Sequence, residues 1–210
     1  LSRTRIKFCG LTRAADVDAA VDLGVDAVGF VLVPGSPRYV DLEAAAALRS
    51  RLPPFVVAVA LFRDPDASTV KAALDRLRPD VLQFHGDEDG AFAASFGCRY
   101  LAVVGMGSPD ADIEATLQRH PQAVGVLLDA HQRGTMGGQG RSFDWLRIPR
   151  NLSKPMILAG GLRTDNVAEA VARVRPYAVD VSSGIEISPG VKDSAKMKAF
   201  IKEVQRGERG

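Results

Sequence analysis

The side chains with chemistry to offer fall at the ends of short apolar runs. Cys9 closes RIKFC two residues after Lys7, His85 closes VLQFH two after Gln83, Asp129 closes GVLLD, and Asp180 and Ser182 alternate through AVDVS. Side chains two apart on an extended strand share a face. Each of these groups therefore points away from its apolar neighbours Ile6 and Phe8, Leu82 and Phe84, or Val179 and Val181. A lysine on the face of a cysteine can lower the thiol pKa and give a thiolate base, and a strand-end carboxyl can deliver a proton. Plainer roles compete with these. Cys9 could be an inert buried thiol, Asp129 a cap for the next turn, and His85 a group that satisfies a polar interior. Lys7 and Asp180, unpaired, would each be costly inside a packed barrel, so they are expected to meet.

A second set of residues suits an anion. Gly160-Gly161 and Ser182-Ser183-Gly184 follow the seventh and eighth apolar runs, where backbone N–H groups and close approach allowed by glycine can hold a phosphate. Ordinary turn glycines are the bland reading of either motif alone. Arg38, in the Pro34-Gly35-Ser36-Pro37-Arg38 loop, is either a solvated surface arginine or a clamp for a substrate carboxylate. The stretch from His131 to Phe143 holds four glycines but lacks the lysine of a P-loop; a mobile lid or a plain flexible loop fits it better. The three histidines (85, 120, 131) and two cysteines lack metal-ligand spacing, so no metal is expected. Cys98 lies at the start of the fifth run, on the opposite rim from Cys9, and is expected to be structural.

These residues need a scaffold that brings strand ends together. Eight β-branched apolar runs recur, at 5–10, 27–32, 55–62, 81–86, 99–106, 123–130, 155–161 and 178–184. Between them lie helical segments. Val70, Ala73, Leu74 and Leu77, then Val167, Ala170, Val171 and Val174, then Met197, Phe200, Ile201 and Val204 keep the i, i+3, i+4, i+7 spacing. Segments 16–23, 42–52 and 110–120 also read as helices, and 89–96 and 144–146 as shorter ones. Eight alternating units predict an α/β fold, a closed parallel (β/α)₈ TIM barrel, with function at the C-terminal ends of the strands. An open doubly wound sheet is the alternative. No linker or composition shift interrupts the 210 residues, so a single domain over 1–210 is expected. Twenty-seven basic against twenty-five acidic residues leaves a net charge of +2 with no basic block, which gives no reason to expect nucleic acid or an anionic membrane as partner. The longest apolar run, 55–62, is too short to span a bilayer. The N-terminus lacks a signal-peptide pattern and the cysteines are few, so a cytoplasmic location is expected.

The strand-end motifs IKFCGLTR (6–13), GFVLVPGSPRYV (29–40), QFHGDE (83–88), LLDA (127–130), GGQGRSFDW (137–145), ILAGGL (157–162) and DVSSGIEISPGVKD (180–193) resemble the phosphoribosylanthranilate isomerase family of tryptophan biosynthesis, in order and over nearly the whole chain. The resemblance implies a cofactor-free Amadori rearrangement of a small phosphorylated substrate by a monomer or homodimer. By position it matches Cys9 to the general base, Asp129 to the general acid and Arg38 to the group near the anthranilate carboxylate. The strand 7 and 8 loops match the phosphate site; Lys7, Gln83, His85 and Asp180 become candidates for holding the substrate. The chain departs from the family's pattern at Phe8, at Gln139 and at the end of the fifth run, AVVGM, which lacks the lysine common there. Two readings compete: the related histidine-pathway isomerase or an enzyme serving both pathways, against which Cys9 argues because that family typically has aspartate there, and a non-catalytic phosphosugar-binding or scaffold barrel.

Overall fold

A computed structural model describes residues 3–131 and 142–210. Eight parallel strands, β1 (Arg5–Cys9), β2 (Ala27–Val31), β3 (Val57–Phe62), β4 (Val81–Phe84), β5 (Tyr100–Gly105), β6 (Gly125–Asp129), β7 (Met156–Leu158) and β8 (Ala178–Val181), close into a barrel in chain order. The closing pair is β1 with β8, in which Lys7 faces Asp180. This is the TIM barrel that the alternation predicts, not the open sheet.

Seven α-helices surround it among the described residues: α1 (Ala14–Asp22), α2 (Leu42–Arg49), α3 (Ala67–Arg76), α4 (Gly90–Ala94), α5 (Ile113–Arg119), α6 (Val167–Val174) and α7 (Ser194–Arg209). Local sequence starts several of them. Asp41, Asp66, Asp89, Asp112 and Asp193 each precede a helix and accept a backbone N–H from its first turn, for example Thr69 N on Asp66 at 2.7 Å, relieving donors that the helix leaves unpaired. The segment expected as the helix before β7 is instead a single 3₁₀ turn, Trp145–Arg147. Pro149 and Pro155 leave too little helix-compatible chain there.

Barrel parity divides the apolar residues into two cores. Phe8, Phe30, Phe62, Leu82, Leu128 and Val179 face the helices and are buried against them, with Phe8 edge-on to Phe200 of α7 at 6.3 Å. Val59, Val81, Leu101, Leu127, Ile157 and Ala178 fill the barrel interior.

Every strand is shorter than the apolar run that predicts it, and two of the differences change the local structure. Phe55, expected to begin β3, adopts φ 74° and is 99% exposed; the ladder begins at Val57, whose N–H reaches Asp26 O. The region after β8 is not plain loop. It forms a 3₁₀ turn, Ser183–Ile185, followed by a hairpin of β9 (Glu186–Ser188) and β10 (Val191–Lys192). The glycine-rich stretch 132–141, expected as a lid or a plain flexible loop, lies outside the described residues.

Candidate active site

The strand ends converge on one cavity whose lining includes Cys9, Arg38, His85, Asp129, Gly160-Gly161 and Ser182-Ser183, with Gln83 and Asp180 below them. Inward-facing Lys7 and Cys9 fit because Gly29, the β2 register partner of Cys9, leaves them space. A Cβ on Gly29 would lie 2.8 Å from Cys9 Sγ and 3.1 Å from Lys7 Nζ, closer than packed atoms tolerate.

Beneath the thiol, Lys7 Nζ donates to Asp180 Oδ1 at 3.0 Å, with both side chains under a tenth exposed. Burial opposes the lysine's charge, but Asp180 and Cys9 beside it outweigh that cost and raise its pKa. The expected interior ion pair is present. Lys7 does not line the cavity; it lies one layer down and acts on the mouth through its contacts.

On the other wall, Asp129 ends β6 and accepts the His131 backbone N–H at 3.1 Å, while the His131 ring Nδ1 lies 3.6 Å from Asp129 Oδ1. Gln83 Nε2 meets His85 Nε2, and burial above all pushes the His85 pKa down to about 3. His85 is therefore a neutral imidazole at physiological pH.

One electrostatic expectation is corrected here. The thiol of Cys9 is not acidified. Burial pushes its pKa up, Asp180 adds to the rise, and Lys7 and Lys192 only partly offset it. The Asp129 carboxyl is not raised in the free protein, where no substrate is bound. Burial favours its neutral form, but hydrogen bonding from His131, its backbone N–H included, outweighs burial and holds it below the usual carboxylate range. The free site thus carries a thiol and a carboxylate.

The two glycine- and serine-rich loops stand beside Asp129. Gly160 and Gly161 turn with φ 78° and 67°. A Cβ on Gly160 would lie 2.2 Å from Ala130 N, so only glycine lets this turn pack on the residue after Asp129. Ser182 and Ser183 face the same cavity, whereas Gly184 is absent from its lining and packs under the Leu162 carbonyl. Arg38 lines the cavity, but its Nε and Nη2 fork onto Glu186 at 2.9 and 2.8 Å. Lys192 Nζ also donates to Glu186 Oε1 at 2.7 Å and to the Ser182 carbonyl at 3.1 Å. The β9–β10 hairpin therefore ties the Arg38 loop to the serine loop.

The sequence reading passed over Glu186 and Lys192, whose pairing needs the hairpin. It also passed over Gly29, Arg63 and His131. Arg63 lines the cavity one step past β3, at the parity of Leu61, and that parity is the signal that would have found it. Cys98 lies away from the site, half-buried with Sγ 3.8 Å from Pro79 O, and both cysteines are free thiols.

A family model described as N-(5'phosphoribosyl)anthranilate (PRA) isomerase matches residues 6–203. The chain is 47% identical over 213 residues to N-(5'-phosphoribosyl)anthranilate isomerase of Xanthomonas euvesicatoria pv. vesicatoria, covering 99% of this chain and 96% of the relative. It is also similar to the crystal structure of phosphoribosyl anthranilate isomerase from Thermotoga maritima, with TM-score 0.84, 35% identity and coverage of 96% of this chain and 98% of that one. A further similar structure is a phosphoribosyl anthranilate isomerase in complex with reduced 1-(o-carboxyphenylamino)-1-deoxyribulose 5-phosphate, at TM-score 0.81, 34% identity and 96% and 98% coverage.

Proposed function

The chain belongs to the N-(5'-phosphoribosyl)anthranilate isomerase family and carries that isomerase activity of tryptophan biosynthesis; from this premise we propose an Amadori rearrangement with Asp129 as general acid and Cys9 as general base. The product is 1-(2-carboxyphenylamino)-1-deoxyribulose 5-phosphate. The observation that carries the reading is convergence: a thiol, a carboxyl and two glycine- and serine-rich loops share one cavity.

Asp129 gives a proton to the ribose ring oxygen, the ring C–O bond breaks, and the anthranilate nitrogen lone pair forms a protonated Schiff base at C1. Cys9 as thiolate removes the C2 proton, and those electrons neutralise the iminium to give an enolamine. Protonation at C1 and loss of the C2 hydroxyl proton complete the ketone, so no atom or electron is gained overall. The backbone of Gly160, Gly161, Ser182 and Ser183 holds the phosphate, and this grip, remote from the reacting carbons, orients them. The Arg38 edge left free by Glu186 faces the anthranilate carboxylate, while Gln83, His85 and Asp180 shape the floor and Lys7 supports it from below through Asp180.

The free site has Cys9 as thiol and Asp129 as carboxylate, whereas the reaction needs the reverse. Substrate brings a phosphate and a carboxylate and expels water, and both effects raise the Asp129 pKa; they act on the thiol too, so the thiolate depends on Lys7 and Lys192 beside Cys9. The proton is redistributed on binding. Two free cysteines, one of them the base, suit a reducing compartment such as the cytoplasm.

Loss of phosphoribosylanthranilate fluorescence on adding purified protein reads the activity. Cys9→Ala and Asp129→Asn should each lower kcat by about 10²–10⁴ with KM changing much less, because neither holds the phosphate. Near-normal kcat in Cys9→Ala overturns the base assignment.

A further inference from the structure

The sequence spacing of the histidines gives no hint of a metal, yet the barrel brings His85, at the end of β4, to Asp129 and His131, at the end of β6. One ligating atom from each lies within 4.8 Å of the others, the one such group of three among the described residues. The His131 side chain is only 6% exposed, and its Nδ1 has no hydrogen-bond partner among the described residues. That nitrogen lies 3.6 Å from Asp129 Oδ1. The fully buried Gln83, beside His85, likewise leaves Oε1 without a partner among the described residues. Polar atoms without a hydrogen bond from the described residues, beside a cavity, are placed to take a ligand.

We propose that His85, Asp129 and His131 form a binding site for a divalent transition-metal ion of the zinc type. Two imidazoles and one carboxylate are a common zinc donor set, and the three leave one coordination position open. That position faces the substrate cavity, which His85 and Asp129 both line. Bonds of about 2.0–2.1 Å place tetrahedral donors roughly 3.3 Å apart, so small side-chain rotations close the triad on the ion. Gln83, in contact with His85 Nε2, would fix the ring as an outer partner. Magnesium, which prefers oxygen ligands, fits poorly. The ion would occupy Asp129, so metal and substrate exclude each other; this last consequence alone rests on the acid assignment above.

The experiment uses Cys98→Ala protein, stripped of metal, to remove the half-buried surface thiol. Calorimetric titration with zinc chloride should show one ion per chain, and cobalt should give the visible absorption of a four-coordinate site. His131→Asn and, separately, His85→Asn should weaken zinc binding by at least about 100-fold, with magnesium chloride giving no heat. His131→Gln serves if either variant fails to fold by circular dichroism. Absence of binding, or affinity unchanged in every folded histidine variant, overturns the site. Zinc binding that leaves turnover intact supports the site and removes Asp129 as the acid.

Discussion

A thiol buried beside an ammonium feels opposed forces, and at Cys9 burial wins. Its pKa lies above the ordinary thiol value, with burial first and Asp180 second as causes. A raised pKa means that thiolate forms only as pH climbs past the usual range near ~8.5. In Cys98→Ala protein, the rate of iodoacetamide labelling at Cys9 should therefore rise to a midpoint above that value. Asp180→Asn should bring the midpoint down, since it removes a negative charge that disfavours thiolate. A midpoint below ~8 in the parent would show that Lys7 dominates instead. The Lys7–Asp180 pair itself is mutually dependent: removing either partner leaves a buried charge uncompensated, at about 3–5 kcal/mol.

At the scale of elements, chemistry gathers where strands stop rather than where they pair. Gly160 and Gly161 leave β7 with positive φ, and Ser182 and Ser183 leave β8 into a 3₁₀ turn. These two exits form the proposed phosphate grip. Gly161→Asp places a carboxylate beside the bound anion, and aspartate tolerates a left-handed conformation better than most residues. KM should rise at least about tenfold, equivalent to ~1.4 kcal/mol, with kcat falling much less. An unchanged KM in folded Gly161→Asp would move the phosphate elsewhere. The β9–β10 hairpin adds a further layer, because Glu186 restrains Arg38 and Lys192 restrains the Ser182 carbonyl.

For the whole molecule, closure of the barrel links every unit to two neighbours, and α7 seals the β1–β8 seam through Phe8 and Phe200. We propose that residues 1–210 form a single cooperative domain. Urea unfolding followed by Trp145 fluorescence and by far-ultraviolet circular dichroism should give coincident transitions. Phe200→Ala, at a fully buried ring, should destabilise by about 3–5 kcal/mol and shift both probes together. Two separated transitions would divide the chain into independent units. No helix among the described residues is long and apolar enough to cross a membrane.

The sequence alone determined the barrel and the inward identity of Lys7, Cys9, Gln83, His85, Asp129 and Asp180. Both follow from local periodicities: apolar runs separated by helical segments, and a side-chain period of two along each strand. The pairing of Lys7 with Asp180 followed as well, because adjacent inward charges in a closed sheet must neutralise each other. Only the tertiary structure decided how Arg38 is restrained by Glu186, 148 positions away, and that His131 stands against Asp129 and His85. It also reversed the expected pKa direction of Cys9. Desolvation and the field of every nearby charge act through three-dimensional distance, which no spacing along a chain encodes.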